Sequence, residues 1–349
     1  MEFDINSIVR ENVKRLKPYS TARDDFKGRA SLYLDANENP LAMEHGRYPD
    51  PKQHDLKEAL ATLKQLNPGQ VIPGNGSDEI IDLLIRAFCE PGIDNIIVPQ
   101  PTYGMYKVYA DINRVEARLP LLTASFDIDI QAIYDCVDGN SKIIFLCSPN
   151  NPSGNLLDQN KTTSLLQSFH GLVVVDEAYI DFANSDGFLP FINRFPNLVV
   201  LQTFSKAWGL AALRLGIGYG SWDVVQILDK IKPPYNINSL TQQKAMDAID
   251  DREGILEWAR ILVSEREKLE KALEDFPFVQ KVYPSQANFL LVKLTDARAC
   301  YQFLLNKGII VRDRSSTVLC GHCLRISIGS PEGNKVLIQA LKEYQNTYR

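Results

Sequence analysis

The stretch Leu201-Gln-Thr-Phe-Ser205-Lys206-Ala-Trp-Gly-Leu-Ala-Ala-Leu-Arg214-Leu-Gly216 decides how the chain is read. It starts as the end of an apolar strand, passes a hydroxyl and a lysine, and reaches an arginine eight positions later. A lysine becomes a nucleophile toward a carbonyl when burial and nearby positive charge lower its pKa. Arg214 could supply that charge and, with Ser205, bind a phosphate. A lone Ser-Lys pair is more often a surface turn, so its chemistry depends on what the rest of the chain brings to it.

Working outward, apolar strands alternate with helical patterns. Asn95–Val98, Ile112–Leu119, Lys142–Cys147, Leu172–Val175, Leu198–Leu201 and Leu215–Gly220 read as strands. Continuous apolar strands separated by helices indicate a mostly parallel sheet covered on both faces, an α/β fold. Ligands of such sheets bind beyond the carboxyl ends of the strands, and Asn151, Asp176, Tyr179, Ser205 and Lys206 all follow strands. Pro73-Gly-Asn-Gly76-Ser77-Asp78-Glu79 opens a helix with Ile80, Ile81, Leu84, Ile85 and Phe88 on one face. Glycines before a helix start let backbone N–H groups approach an anion. Upstream, a helical pattern from Ile5 to Leu16 ends at Pro18, and Leu32–Leu34 reads as a short strand. After Pro233-Pro234 the texture changes to helices over 239–250 and 254–275, strands 287–294 and 323–328, an extended 308–311, and helices 296–306 and 332–346. This predicts a large α/β domain over 30–250 and a smaller α+β domain from 251–349 completed by 1–29.

Composition narrows the function. The 349 residues are 45% apolar and 23% charged with a net charge of −5, which gives no reason to expect nucleic acid or an anionic membrane as partner. No apolar run is long enough to span a bilayer, and Met1-Glu-Phe-Asp lacks the layout of a signal peptide, so the cytoplasm is the expected location. The six cysteines are scattered and read as free thiols. Cys320-Gly-His322-Cys323 is half of a zinc pattern with no second half, and no metal is expected. Gly216-Ile-Gly218-Tyr-Gly220 lies within a strand with no helix and third glycine after it, which removes a dinucleotide-binding dehydrogenase.

The polar residues at the strand ends match the needs of a phosphorylated pyridine aldehyde. Its ring nitrogen requires a buried carboxylate, Asp176. Its ring hydroxylate requires donors, Asn151 and Tyr179. Its phosphate requires a helix start, a hydroxyl and an arginine, available at Gly76, Ser77, Asp78, Ser205 and Arg214. Tyr103 could cover the ring, and Lys206 would condense with the aldehyde and then move protons.

In order along the chain, Leu34-Asp-Ala-Asn-Glu-Asn-Pro40, Asn75-Gly-Ser-Asp-Glu79, Pro101-Thr-Tyr-Gly-Met-Tyr106, Ser148-Pro-Asn-Asn-Pro-Ser-Gly154, Val175-Asp-Glu-Ala-Tyr179, Thr203-Phe-Ser-Lys-Ala207 and Leu324-Arg-Ile-Ser-Ile-Gly329 resemble fold-type I pyridoxal-phosphate aminotransferases, most closely the histidinol-phosphate branch. The resemblance covers essentially the full length. It implies pyridoxal 5'-phosphate as cofactor, Lys206 as the catalytic lysine, and the roles given above for the other residues. It also implies that Arg325 holds the phosphate of histidinol phosphate in one half-reaction and the carboxylate of glutamate or 2-oxoglutarate in the other. Tyr19, Asn37, Arg312 and Tyr48 match substrate-binding positions, Tyr48 reaching the partner active site of a homodimer. Aromatic-amino-acid aminotransferases and threonine-phosphate decarboxylases share the scaffold. Ser153, Trp208 and Ala212 depart from the more usual threonine, phenylalanine and glycine.

Overall fold

The computed structural model describes residues 3–22, 31–41 and 45–347. Seven strands form the larger sheet: β1 (Val71–Asn75), β2 (Asn95–Ile97), β3 (Glu116–Arg118), β4 (Ser141–Cys147), β5 (Leu172–Asp176), β6 (Leu198–Thr203) and β7 (Leu215–Tyr219), in the order β1-β7-β6-β5-β4-β2-β3. Neighbours from β6 to β3 run parallel, and β7 is antiparallel to both β6 and β1. The continuous apolar runs have the expected cause. Val173 and Val175 bury into one core and Val174 into the other, so both faces are covered. The second sheet, in the order β10-β11-β9-β8, consists of β8 (Val279–Tyr283), β9 (Phe289–Leu294), β10 (Arg312–Asp313) and β11 (Cys323–Ser327). It has its own core of Leu290, Val292, Leu324 and Ile326 with Leu337 and Leu341. The boundary expected at 250 falls between the helices Ser239–Asp250 and Arg252–Glu274. The latter serves both cores, with Ile255 and Ala259 in the larger and Leu269 and Leu273 in the smaller.

Several expectations are corrected. The N-terminal segment does not complete the smaller unit. Ile8, Val9 and Val13 pack with Ile81, Ile85 and Phe88 beside the larger sheet, and Arg10 Nε pairs with Glu90 at 3.0 Å. Residues 1–2 and 23–30 of that expectation lie outside the described residues. The strand expected over Leu32–Leu34 does not form. Ile112 ends the helix Met105–Ile112, which leaves only Glu116–Arg118 as strand. β1 and β8 are strands the sequence pattern did not reveal, since β1 contains both a proline and a glycine.

Two contacts between β1, β7 and the Ser77–Phe88 helix set the site. Gly74 is opposite Gly216, and the N–H of Gly76 donates to the carbonyl of Arg214. A Cβ on Gly216 would lie only 2.0 Å from the Ser77 backbone N and 2.6 Å from Ser77 Cα. The obstacle is backbone, so it cannot rotate away. Gly216→Ala is therefore expected to lower stability by about 1–3 kcal/mol and to weaken anion binding at the Ser77 helix start. Thermal melts and phosphate titrations check this, and a variant with unchanged phosphate affinity would contradict the close-packing account.

Candidate active site

Cys147, Asp176 and Thr203 stand at the carboxyl ends of β4, β5 and β6, with Cys147 directly opposite Asp176 in the sheet register. Above this edge lies a cavity of about 150 Å³ lined by Gly76, Ser77, Asp78, Tyr103, Cys147, Asn151, Asp176, Ala178, Tyr179, Thr203, Ser205, Lys206 and Arg214. Every residue expected to hold the cofactor is in that lining. One topological edge collects them, as the parallel sheet requires.

Asp176 is buried, accepting from Tyr106 Oη at 2.6 Å and from the Ala178 N–H at 3.1 Å. Burial outweighs these donors and pushes its pKa up to about 6. Lys206 Nζ lies 5.5 Å from the centre of the Tyr179 ring. Much of the residue's area is exposed, yet the ammonium end sits within the cavity wall. Desolvation there, and then the charge of Arg325, lowers its pKa against the opposing pull of Asp176. Arg214 lies between Ser205 Oγ and Asp78 Oδ2, 3.4 Å from each. Gly76, at φ +76°, begins the helix beside it, and a Cβ there would come within 2.8 Å of Arg214 Nη2. Tyr103 Oη donates to Asp78 Oδ1 at 3.1 Å, and Asn151 Nδ2 donates to Tyr179 Oη at 3.4 Å. Arg325 enters from the smaller sheet. Its guanidinium stacks on Phe289 at 5.2 Å, and Nη1 donates to Asn151 Oδ1 at 2.6 Å.

Not every expected residue lines the cavity. Arg312 is exposed, directly opposite Arg325 across the β10–β11 pair. Tyr19 is 75% exposed and lines a separate cleft with Thr21, Lys57 and Asp229. Asn37 and Tyr48 line a third cleft with Asn238 and Leu240, where Tyr48 stacks on Tyr235 at 4.5 Å. Within one chain Tyr19, Asn37 and Tyr48 stand apart from the cavity. The sequence reading missed Tyr106, which orients Asp176 and stacks on Phe145 at 4.9 Å. The available signal was its position three residues after Tyr103 in the same motif. Trp208 packs on Phe204 and donates to Asp181 at 3.2 Å, away from the cavity. Among the described residues, no group of three or more His, Cys, Asp or Glu could hold a metal, and no helix is long and apolar enough to cross a membrane.

Fold and cavity together define an aminotransferase. The chain belongs to the aminotransferase class I and II family, whose model matches residues 35–341. Curated relatives include the histidinol-phosphate aminotransferases of Parabacteroides distasonis and Flavobacterium johnsoniae, 51% and 52% identical over 97% of this chain and 98% of each of theirs. Among solved structures, the histidinol-phosphate aminotransferase of Sinorhizobium meliloti in complex with pyridoxal-5'-phosphate has a TM-score of 0.80 at 25% identity. That match covers 88% of this chain and 85% of the other. The L-threonine-O-3-phosphate decarboxylase of Porphyromonas gingivalis shares the fold, with a TM-score of 0.73 at 22% identity over 86% of this chain and 91% of that one.

Proposed function

We propose that the protein moves the amino group of L-histidinol phosphate to 2-oxoglutarate, giving imidazole acetol phosphate and glutamate, with pyridoxal 5'-phosphate as cofactor. This is a step of histidine biosynthesis. The donor set fits the cofactor. The space left by the missing Cβ of Gly76 admits the Arg214 guanidinium to the helix start. First-turn N–H groups of Ser77 and Asp78, Ser205 Oγ and Arg214 would hold a phosphate there. Asp176 would hold the protonated ring nitrogen, Asn151 and Tyr179 would donate to the ring oxygen, and Tyr103 would cover a ring face. When bound, the cofactor supplies an electron sink for the bond broken at the substrate α-carbon. Lys206 Nζ takes and returns the proton of that carbon, and its lowered pKa raises the fraction of free amine at neutral pH.

The observation that carries the substrate reading is Arg325. It is fixed by Asn151 and Phe289 beside the cavity, its Nε is buried without a partner, and no carboxylate among the described residues pairs with it. Such an arginine is ready to take a phosphate in one half-reaction and a carboxylate in the other. The names of the relatives support the same choice. A homodimer would account for Tyr48, Asn37 and Tyr19 standing outside the cavity, with Tyr48 entering the partner's site. The location proposed is the cytoplasm.

Single-turnover reactions with histidinol phosphate, phenylalanine, tyrosine and phosphothreonine test the substrate. Histidinol phosphate is expected to react with about 10²-fold or greater preference in kcat/KM, because a site built for a phosphate is left with an unpaired cation by the others or is misfitted by them. Comparable rates with phenylalanine, or carbon dioxide release from phosphothreonine, would sink this reading in favour of the aromatic or decarboxylase alternative.

A further inference from the structure

Three guanidiniums share one face of the smaller sheet. Arg312 is directly opposite Arg325, and the N–H of Arg314 donates to the carbonyl of Cys323 one step further along the same pair. Side chains opposite each other, or two apart in extended chain, project from the same face, and Arg314, the residue directly after β10, continues that pairing through its bond to Cys323, so Arg312, Arg314 and Arg325 point together. This is the face turned to the larger unit, since Cys323 and Leu291 pack there against Leu122 and Phe126. None of the three pairs with a carboxylate among the described residues. Three of the buried polar atoms left without a partner fall on this one segment: Arg314 Nε, Ser315 Oγ and Arg325 Nε. Arg314 is close enough for its charge to act on Tyr179 at the cavity wall, and it is itself opposed by Arg325 and Arg312.

Like charges gathered on a half-buried surface without counter-ions are unfavourable until an anion joins them. A carboxylate brings one charge and a phosphomonoester nearly two, so the second repays more of that cost. We propose that Arg314 is a specificity-determining residue, adding a third guanidinium to the Arg312–Arg325 pair so that the site favours a phosphomonoester dianion over a carboxylate. This rests on the phosphate-bearing amine substrate proposed above. It assigns to Arg314 the part of the selectivity that Arg325, which must serve both substrates, cannot supply.

The test uses the cofactor-loaded enzyme with Arg314→Gln and Arg314→Lys. In Arg314→Gln the KM for histidinol phosphate should rise about tenfold or more and that for glutamate less than about threefold, the loss expected for one charge-assisted contact made only to the phosphate. For inorganic phosphate, as competitive inhibitor of the glutamate half-reaction, Ki should rise about tenfold. Arg314→Lys keeps the charge and should recover most of both effects, which a purely structural role would not predict. Equal KM changes for the two substrates, an unaltered phosphate Ki, or a lysine variant no better than glutamine would overturn the proposal. The phosphate Ki also separates the two readings. If wild-type enzyme ignores histidinol phosphate yet loses phosphate inhibition on Arg314→Gln, the substrate assignment fails and this inference stands.

Discussion

Lys206→Ala is expected to lose transamination by about 10⁴-fold or more while keeping its fold and binding the cofactor non-covalently. General acid–base catalysis alone contributes about 10²–10⁴-fold, and the same nitrogen also provides the covalent attachment. Among the described residues, no other lysine lines the cavity. Structural cost should be small, because among the described residues Lys206 Nζ has no hydrogen-bond partner, and much of the residue's own area is exposed in the turn after β6. The phosphate cradle is independent of it, since Arg214 is held by Ser205, Asp78 and the Ala211 carbonyl. Borohydride treatment of the loaded wild-type protein, followed by peptide mapping, should place the label on Lys206, and the variant should retain none. Label on a different lysine, or activity above about 1% of wild type, would remove Lys206 from the chemistry.

The larger sheet was legible because its strands are buried on both faces. Leu172–Val175 can be nothing but apolar, and its polar successor Asp176 then marks the functional edge. Most of the cofactor set was legible for the same reason, since Asn151, Asp176, Tyr179, Ser205 and Lys206 end or soon follow a strand and Ser77 and Asp78 open a helix, whereas Tyr103 and Arg214 stand in loops. Legibility failed where position depends on long-range packing. Val71–Asn75 carries Pro73 and Gly74, weak strand formers, and it becomes a strand only because β7 offers a partner on which glycine faces glycine. The amphipathic N-terminal segment announced a buried face but not the surface that covers it, and that surface is the Ser77–Phe88 helix. Tyr19, Asn37 and Tyr48 could be matched by motif, but a motif carries no information about which copy of the chain a side chain serves. Arg314 escaped notice because an arginine just past a strand end is ordinary until its neighbours are known to be arginines without acids.

The second large effect concerns Asp176→Asn, which should lower kcat by about 10²–10⁴-fold while making the cofactor-free protein more stable at high pH. The two consequences share one cause. Removing one member of a buried ion pair leaves its partner uncompensated, at a cost of about 3–5 kcal/mol, and here the uncompensated charge would be the ring cation that Asp176 is placed to hold. In the cofactor-free protein that cation is missing, and burial holds the carboxyl's pKa up at about 6 against an ordinary value of 3.8. The folded state then binds more protons than the unfolded chain between those pH values, so the contribution of Asp176 to stability is most favourable below pH 4 and is lost as pH rises through 6. Above pH 6 the deficit reaches about 3 kcal/mol, and asparagine, neutral throughout, avoids it. Asparagine can also keep the hydrogen bonds, its oxygen accepting from the Ala178 N–H and its amide donating to Tyr106 Oη, a hydroxyl that accepts as well as donates. Denaturant unfolding of the cofactor-free proteins should therefore show the variant ahead of wild type at pH 8 and level with it near pH 4. Glu177, buried beside it with a pKa raised to about 7, depresses both proteins alike at pH 8 and cancels from the comparison. A stability difference that is the same at both pH values would mean that Asp176 is not carrying a buried charge, and its assignment as the partner of a cationic ring would fall with it.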